Sequence, residues 1–407
     1  MNTRLRLLVS FSVLFCLVGS AFGANANATN QVQIVVAQKG LNLLPPGDAG
    51  MLNLLRHPNG SIWLHTGKED LGHTLFRSKD NGESWKPVLI SLPEAQPNQY
   101  IAGLGITRDG KLWLVHQQLP DNGGTSFVGK KLHVSCSEDD GRTWKTATVD
   151  FGPLAPTGKE DPFEMACAAW AYCSFIESPD GTLMFSTSLR YPDWKDYQQK
   201  DQTRPGIRDV MVRSKDGGKT WGDATLVHQH ATETDHAVDP IDPDRILAAS
   251  RKQSFMLPGD NPKEVERITG QSEGWVWKGG LLLESTDGGR VFKEVPGSYV
   301  GYYAHRANLL WTNDNVVIFE HNLGQRNKSR MGRISFDGGK TWIADDGKKS
   351  TPLLAKSKKF EMFGNTGSAT IDVGPNQFMT VYLGKRGPKG WPIKRAFWRL
   401  KRGPKES

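Results

Sequence analysis

Ser214-Lys215-Asp216-Gly217-Gly218-Lys219-Thr220-Trp221 is written, with small changes, five times along the chain. SKDNGESW stands at 78–85, SEDDGRTW at 137–144, SKDGGKTW at 214–221, STDGGRVF at 285–292 and SFDGGKTW at 335–342. The shared frame is S-x-D-x-G-x-x-W, with Phe292 replacing the last Trp once. The Asp carboxylate is suited to fold back onto the backbone N–H groups that follow it. The Gly supplies a positive φ that other residues resist. The aromatic then opens the outgoing strand and packs over the turn. One copy is an ordinary turn, whereas five in one frame predict a repeat architecture made of hairpins.

Working outward, each copy is preceded by an apolar strand, a turn rich in Asp, Asn and Gly, and two further strands. The first unit reads LNLLRH, Pro58-Asn59-Gly60, SIWLHT and TLFRS before its copy. The second reads IAGLGIT, Arg108-Asp109-Gly110, KLWLVH and KLHVSCS; the third reads AYCSFIES, Pro179-Asp180-Gly181, TLMFSTS and DVMVRS. The fourth uses HAVDPI, Pro243-Asp244, RILAAS and GLLLES, and the fifth uses RANLLW, Asn313-Asp314-Asn315, VVIFEH and MGRIS. Strand, turn, strand, strand, box, strand makes a four-stranded antiparallel blade. A sixth unit, ATIDV, QFMTVYL and AFWRLKR, lacks the box and is one strand short. QVQIVVA at 31–37 has no blade of its own and is expected to supply the missing outer strand beside 395–402, which would close the ring and remove free edges.

The repeated frame resembles the Asp box, and from about residue 31 to 400 the chain resembles the sialidase-like (BNR-repeat) β-propellers, the exo-sialidases among them. The resemblance implies an all-β, six-bladed β-propeller with five Asp boxes, closed by the N-terminal strand. It puts the boxes on the rim, away from any ligand, so their role is structural. Because boxes of this kind also occur in lyases and binding proteins, the resemblance is specific for fold more than for activity.

Residues 1–23 read as a secretory signal peptide, with Arg4 and Arg6 ahead of the apolar run Leu7 to Val18 and Ala21-Phe22-Gly23 at the cleavage site. Residues 24–407 then form a single propeller domain, secreted or periplasmic, with no membrane span and expected as a monomer. Glycine at 44 residues, proline at 23 and tryptophan at 13 suit short strands and tight turns. Cys167 and Cys173 could pair in an oxidising compartment, leaving Cys136 a buried thiol. The formal charge of +8 gathers at the C-terminal end, where KRGPK is written twice. It reads either as a solvated outer strand and tail or as an attractant for anionic glycans. No nucleic-acid partner is expected, and no cofactor.

In this class of propeller, ligands bind around the central channel, where innermost strands start and second strands end. The matching positions hold Glu69 and Asp70; His116 and Gln117; Trp170 and Tyr172; Arg190; Asp235 and His236; Arg251; His305 and Arg306; and Glu320 and His321. Aromatics stack on pyranose faces, while charged groups bind acid substituents and move protons. An acidic oligosaccharide or polysaccharide is the expected ligand.

The sialidase resemblance implies further roles, position by position. Arg251 in RILAASR matches the second arginine of the carboxylate-binding triad, and Arg326 the third, with Arg330 a near alternative. Asp70, or Glu69, falls where the acid/base Asp lies. Asp235 aligns with the activating Glu, and Glu233 stands two residues off. The first triad arginine and the nucleophilic Tyr have no counterpart: residues 49–51 read Ala-Gly-Met, and no Tyr stands near Gly367.

Two alternatives stand beside a glycoside hydrolase. In GYYAHR, Tyr303 and His305 beside Arg306 are the groups a uronic-acid lyase needs for C5 proton abstraction, and a non-catalytic glycan-binding propeller needs neither. In HQHATETDH, His228 and His230 would share a strand face as metal ligands do, but an inter-blade polar loop is expected there and no metal is assigned.

Overall fold

The structure, a computed structural model, describes residues 32–47, 52–66, 74–92, 99–118, 132–154, 166–168, 175–190, 207–254, 263, 277–298, 307–322, 330–342, 351–352, 368–384, 387–388 and 390–402. The leader read at 1–23 and Cys173 lie outside these residues.

Short runs dominated by Leu, Val, Ile and Phe form strands that pair mostly with sequence neighbours, β1 on β25 being the long-range exception, giving six antiparallel sheets arranged as a six-bladed β-propeller. Blade 1 holds β2 (Asn53–Arg56), β3 (Ile62–His65), β4 (Thr74–Ser78) and β5 (Lys86–Leu89). Blade 2 holds β6 (Gln99–Ile106), β7 (Leu112–Gln118), β8 (Leu132–Ser137) and β9 (Lys145–Thr148). In blade 3 an interrupted inner strand, β10 (Ala166–Ala168) and β11 (Phe175–Glu177), pairs with β12 (Leu183–Arg190), followed by β13 (Ile207–Ser214) and β14 (Gly222–Gln229). Blade 4 holds β15 (Ala231–Val238), β16 (Ile246–Ser254), β17 (Trp277–Ser285) and β18 (Lys293–Glu294). Blade 5 holds β19 (Asn308–Trp311), β20 (Val317–Asn322), β21 (Arg330–Ser335) and β22 (Thr351–Pro352). Blade 6 holds β23 (Ser368–Gly374), β24 (Gln377–Leu383) and β25 (Trp391–Arg402), with β1 (Val32–Gly47) outermost. The run read at 31–37 therefore extends to Gly47, and its register against β25 runs from Val32–Arg402 to Gly47–Trp391 with four irregularities.

The core is six seams between neighbouring blades instead of one central mass. Trp63, Leu104 and Trp144 fill the seam of blades 1 and 2, and Trp113, Phe185 and Trp221 that of blades 2 and 3. Met211, Ile246 and Leu283 join blades 3 and 4; Leu247, Leu309 and Phe319 join 4 and 5. Phe378 packs with Ile318 across blades 5 and 6, and Leu64 with Val381 across 6 and 1. A strand between two seams is buried on both faces, as IWLH of β3 is, whereas the outermost KTAT of β9 is largely exposed.

At all five repeats the serine hydroxyl donates to the aspartate at 2.7–2.8 Å and accepts the glycine N–H at 2.7–2.9 Å. The same aspartates accept the N–H four residues on, and each glycine has φ between 82° and 88°. In four copies the Ser or Thr hydroxyl at that later position also bonds the carboxylate; Val291 has none to offer.

HQHATETDH is not a loop. β14 ends at Gln229 and β15 begins at Ala231, so only His230, at φ 63°, separates them. The β-branched Thr232 and Thr234 favour extended backbone, and Asp239 takes up the following turn by accepting the Ile241 N–H at 2.9 Å. The fourth inner strand therefore begins upstream of the expected HAVDPI and shares only His236, Ala237 and Val238 with it.

Candidate functional site

Because each blade is an antiparallel meander, the D-G turns and the repeated boxes share one face. The starts of inner strands and ends of second strands share the other. On that second face polar side chains are buried in every blade: Asn53 and His65, His116 and Gln117, Ser188 and Asp209, Glu233 and Arg251, Asn308 and Glu320, and Ser368. Side chains of all six blades line a channel cavity of about 150 Å³, including Asn53, Leu104, Phe175, Asp235, His236, Asn308, Glu320 and Thr370.

Three local devices aim these groups. The first is a bulge between Thr232 and Asp235 that leaves Glu233 at φ 56°. Left-handed backbone is costly for a non-glycine residue, and here it turns the Glu233 carboxylate onto Arg251, whose Nη1 lies 2.5 Å from Oε1. Both side chains are almost fully buried, at 3% and 1% exposure. Glu233 is the hydrogen-bond partner of Arg251 among the described residues, and Arg251 Nε, also buried, has none. A guanidinium anchored on one side in this way keeps donor capacity for a second acid.

The second device is Asp235, fixed at the cavity wall. Its Oδ2 accepts the Leu309 N–H at 2.8 Å across to blade 5, and its Oδ1 accepts the His236 N–H at 3.1 Å. Burial, with the charge of Arg213 adding to it, pulls the neighbouring His236 down to about 3, so this imidazole is neutral and packs edge-on to Phe292.

The third is a relay ending on Glu320. Trp398 Nε1 donates to Thr380 Oγ1 at 2.9 Å; Thr380 and Thr370 hydroxyls are 2.7 Å apart; Thr370 donates to Glu320 Oε1 at 2.6 Å. An indole N–H only donates and a carboxylate only accepts. The Thr380 proton must therefore point to Thr370, and every donor in the relay points toward the channel.

Of the residues singled out from the sequence, Asp235, His236 and Glu320 come together at the cavity, with Arg251 held by Glu233 in the same blade as Asp235 and His236. His116 lies at the end of β7, its Nε2 2.7 Å from Ser135 Oγ and its ring stacked on His133, with Gln117 buried beside it. His321 is buried next to Phe319. Arg190 ends β12 opposite Ile207. Glu69, Asp70, Trp170, Tyr172, Tyr303, His305, Arg306 and Arg326 lie outside the described residues. Among the described residues no three His, Cys, Asp or Glu side chains converge as metal ligands. None of the helices there is long and apolar enough to cross a membrane.

Sequence reasoning missed Asn53, Asn308, Thr370 and Asp209. A signal existed for the first two, since Asn-Leu-Leu opens the inner strands of both blades 1 and 5. Asp209 is fully buried at the seam of blades 3 and 4. Burial pushes its carboxyl up to about 7 against opposing hydrogen bonds from Thr234 and Ser188.

No protein-family model matches the chain, and no curated protein matches it in sequence. Solved structures share its fold. A protein of unknown function from Dyadobacter fermentans superposes with a TM-score of 0.58 at 15% identity, over 91% of this chain and 99% of that one. The α-L-arabinofuranosidase Arb93A of Fusarium graminearum, a mutant in complex with an iminosugar inhibitor, gives 0.57 at 13%, over 89% and 98%. A Hadza microbial sialidase gives 0.56 at 16%, over 90% and 68%. The chain therefore has a sialidase-like propeller fold.

Proposed function

We propose that this chain is a carbohydrate-active enzyme, exported after loss of residues 1–23, that cleaves a glycosidic bond in an acidic glycan. The fold is shared with a sialidase and an arabinofuranosidase. The observation that carries the reading is Arg251, a buried guanidinium anchored by Glu233 with its Nε lacking a partner among the described residues. An unmet buried donor costs about 1–3 kcal/mol, and a sugar carboxylate at the channel mouth recovers it. In this reading Arg326 adds a second cationic contact. Asp70 protonates the leaving oxygen, and Asp235, fixed through the Leu309 N–H, activates the attacking water. With no tyrosine near Gly367 to form a covalent intermediate, direct attack by water inverts the anomeric centre. The five box turns act as Asp boxes that staple blades at the far rim, and β1 closes the ring so that the domain works as a monomer.

Arg251→Lys is the test. Lysine keeps the charge but not the planar fork, so affinity for an acidic sugar should fall by about 1.5–3 kcal/mol, the range for a charged hydrogen bond. Neutral sugars should bind as before. If affinities for acidic and neutral sugars fall together with the melting temperature, Arg251 braces blade 4 and the reading fails. Product analysis on the unmodified protein separates hydrolysis from elimination, since only the latter leaves an ultraviolet-absorbing unsaturated sugar.

A further inference from the structure

We propose that the channel cavity binds one hard divalent cation of the calcium type, against the wall formed by blade 5. The starting observation is Asn308, 7% exposed and lining the cavity. Its Nδ2 donates to the Ser368 carbonyl at 2.8 Å, which fixes the amide orientation. Its Oδ1 is then left buried with no partner among the described residues. A buried acceptor in that state costs about 1–3 kcal/mol.

Carboxylates share the cavity with it, alongside the Asn53 amide and the neutral His236 ring. Asn308 and Glu320 are direct cross-strand partners on β19 and β20, so their side chains stand on one face of blade 5. Thr370 of blade 6 gives its proton to Glu320 Oε1, the last step of the inward-pointing relay, and so adds no donor for Asn308. Asp235 lines the same cavity and contributes a second carboxylate. A neutral amide oxygen beside a carboxylate, with more negative charge across the cavity, is a hard oxygen donor set.

Calcium accepts six to eight oxygen ligands in flexible geometry, whereas magnesium demands a near-ideal octahedron and sheds water reluctantly. Two ligands fixed by strand register, with water completing the shell, suit the former. At about 30 Å³ for each water, a cavity of about 150 Å³ holds an ion and a few waters. The inference concerns cation binding alone and stands whether or not the chain cleaves a sugar.

The experiment is calorimetric titration of chelator-treated full-length protein with calcium chloride, paired with melting curves. The expected result is one calcium per chain and a saturable rise in melting temperature. Asn308→Ala and Glu320→Gln should each weaken binding by roughly tenfold or more, and Ser214→Ala, on the opposite rim, should not. Should either channel variant fail to fold, the stoichiometry and melting response of the unmodified protein still decide. Neither heat nor stabilisation would mean that water alone meets Asn308, and would overturn the proposal. Binding unchanged in both channel variants would put the ion elsewhere, with the same consequence.

Discussion

Replacing Asp209 by asparagine should make the protein more stable at neutral pH and remove a pH dependence from its unfolding. Asp209 lies near the start of β13, two residues after Ile207, with its side chain turned toward blade 4, on the same strand face as Met211 and Arg213. Ser188 donates to its Oδ1 at 3.3 Å, while Oδ2 is buried and lacks a partner among the described residues. Around it stand hydroxyls, those of Ser188 and Thr234, with Thr232 2.7 Å from Ser188 and Ser250 2.7 Å from Thr234. Burial therefore favours the protonated acid, and the carboxyl titrates at about 7 in the fold, against about 3.9 in the unfolded chain.

Between these values the folded state holds a proton that the unfolded state has released. Stability is then full below about pH 4 and falls by about 1.4 kcal/mol per pH unit as pH rises toward 7, a total of about 4 kcal/mol. The amide of the Asp209→Asn variant would be neutral throughout. Denaturant unfolding of both proteins from pH 4 to 9, followed by circular dichroism, should give curves that coincide at the acid end and separate by about 4 kcal/mol above pH 7. Parallel curves across the whole range would mean that Asp209 is not a buried neutral acid, and the reasoning would fail.

Three further changes test the box turns. Ser214→Ala removes the hydroxyl that joins Gly218 N–H to Asp216, so denaturant unfolding should register a loss of about 1–2 kcal/mol, with glycan and calcium affinities unchanged. Val291→Thr supplies the fourth box with the hydroxyl that the other four direct at their aspartates, and the melting temperature should rise, by up to about 1 kcal/mol of stability. Gly218→Ala combines a left-handed φ of 85° with a Cβ only 2.0 Å from the buried Trp113 ring; a loss of about 2–4 kcal/mol is expected, and a wild-type unfolding midpoint would show that the seam yields.

The blades were legible in the sequence because their turn chemistry is local. An Asp, a Gly and an aromatic at fixed offsets make the same bonds wherever they occur, so five copies located five turns before any tertiary contact was known. Asp209 was not legible for the opposite reason. IRDVMVRS lies between two seams and is buried on both faces, so alternation carries no contrast to mark the acid that turns inward. Glu233 meets Arg251 only because a bulge sets two residues of β15 opposite one of β16, and nothing in the run ATETDHAV marks where that bulge falls. The relay through Trp398, Thr380 and Thr370 joins three strands of blade 6 to a carboxylate of blade 5, a distance in sequence that no motif spans.

The register of β1 on β25 also decides how blade 6 would come apart under tension. Val32 lies opposite Arg402, so handles attached at these two residues leave blade 6 side by side and pull across the strands instead of along them. Load then falls on one backbone hydrogen bond at a time, as in a zipper, and never on the whole ladder in shear. Four register irregularities interrupt that ladder and give the peeling front places to pause. Stretched from these handles, blade 6 should open first and at low force, leaving an arc of five blades that yields only at a higher one.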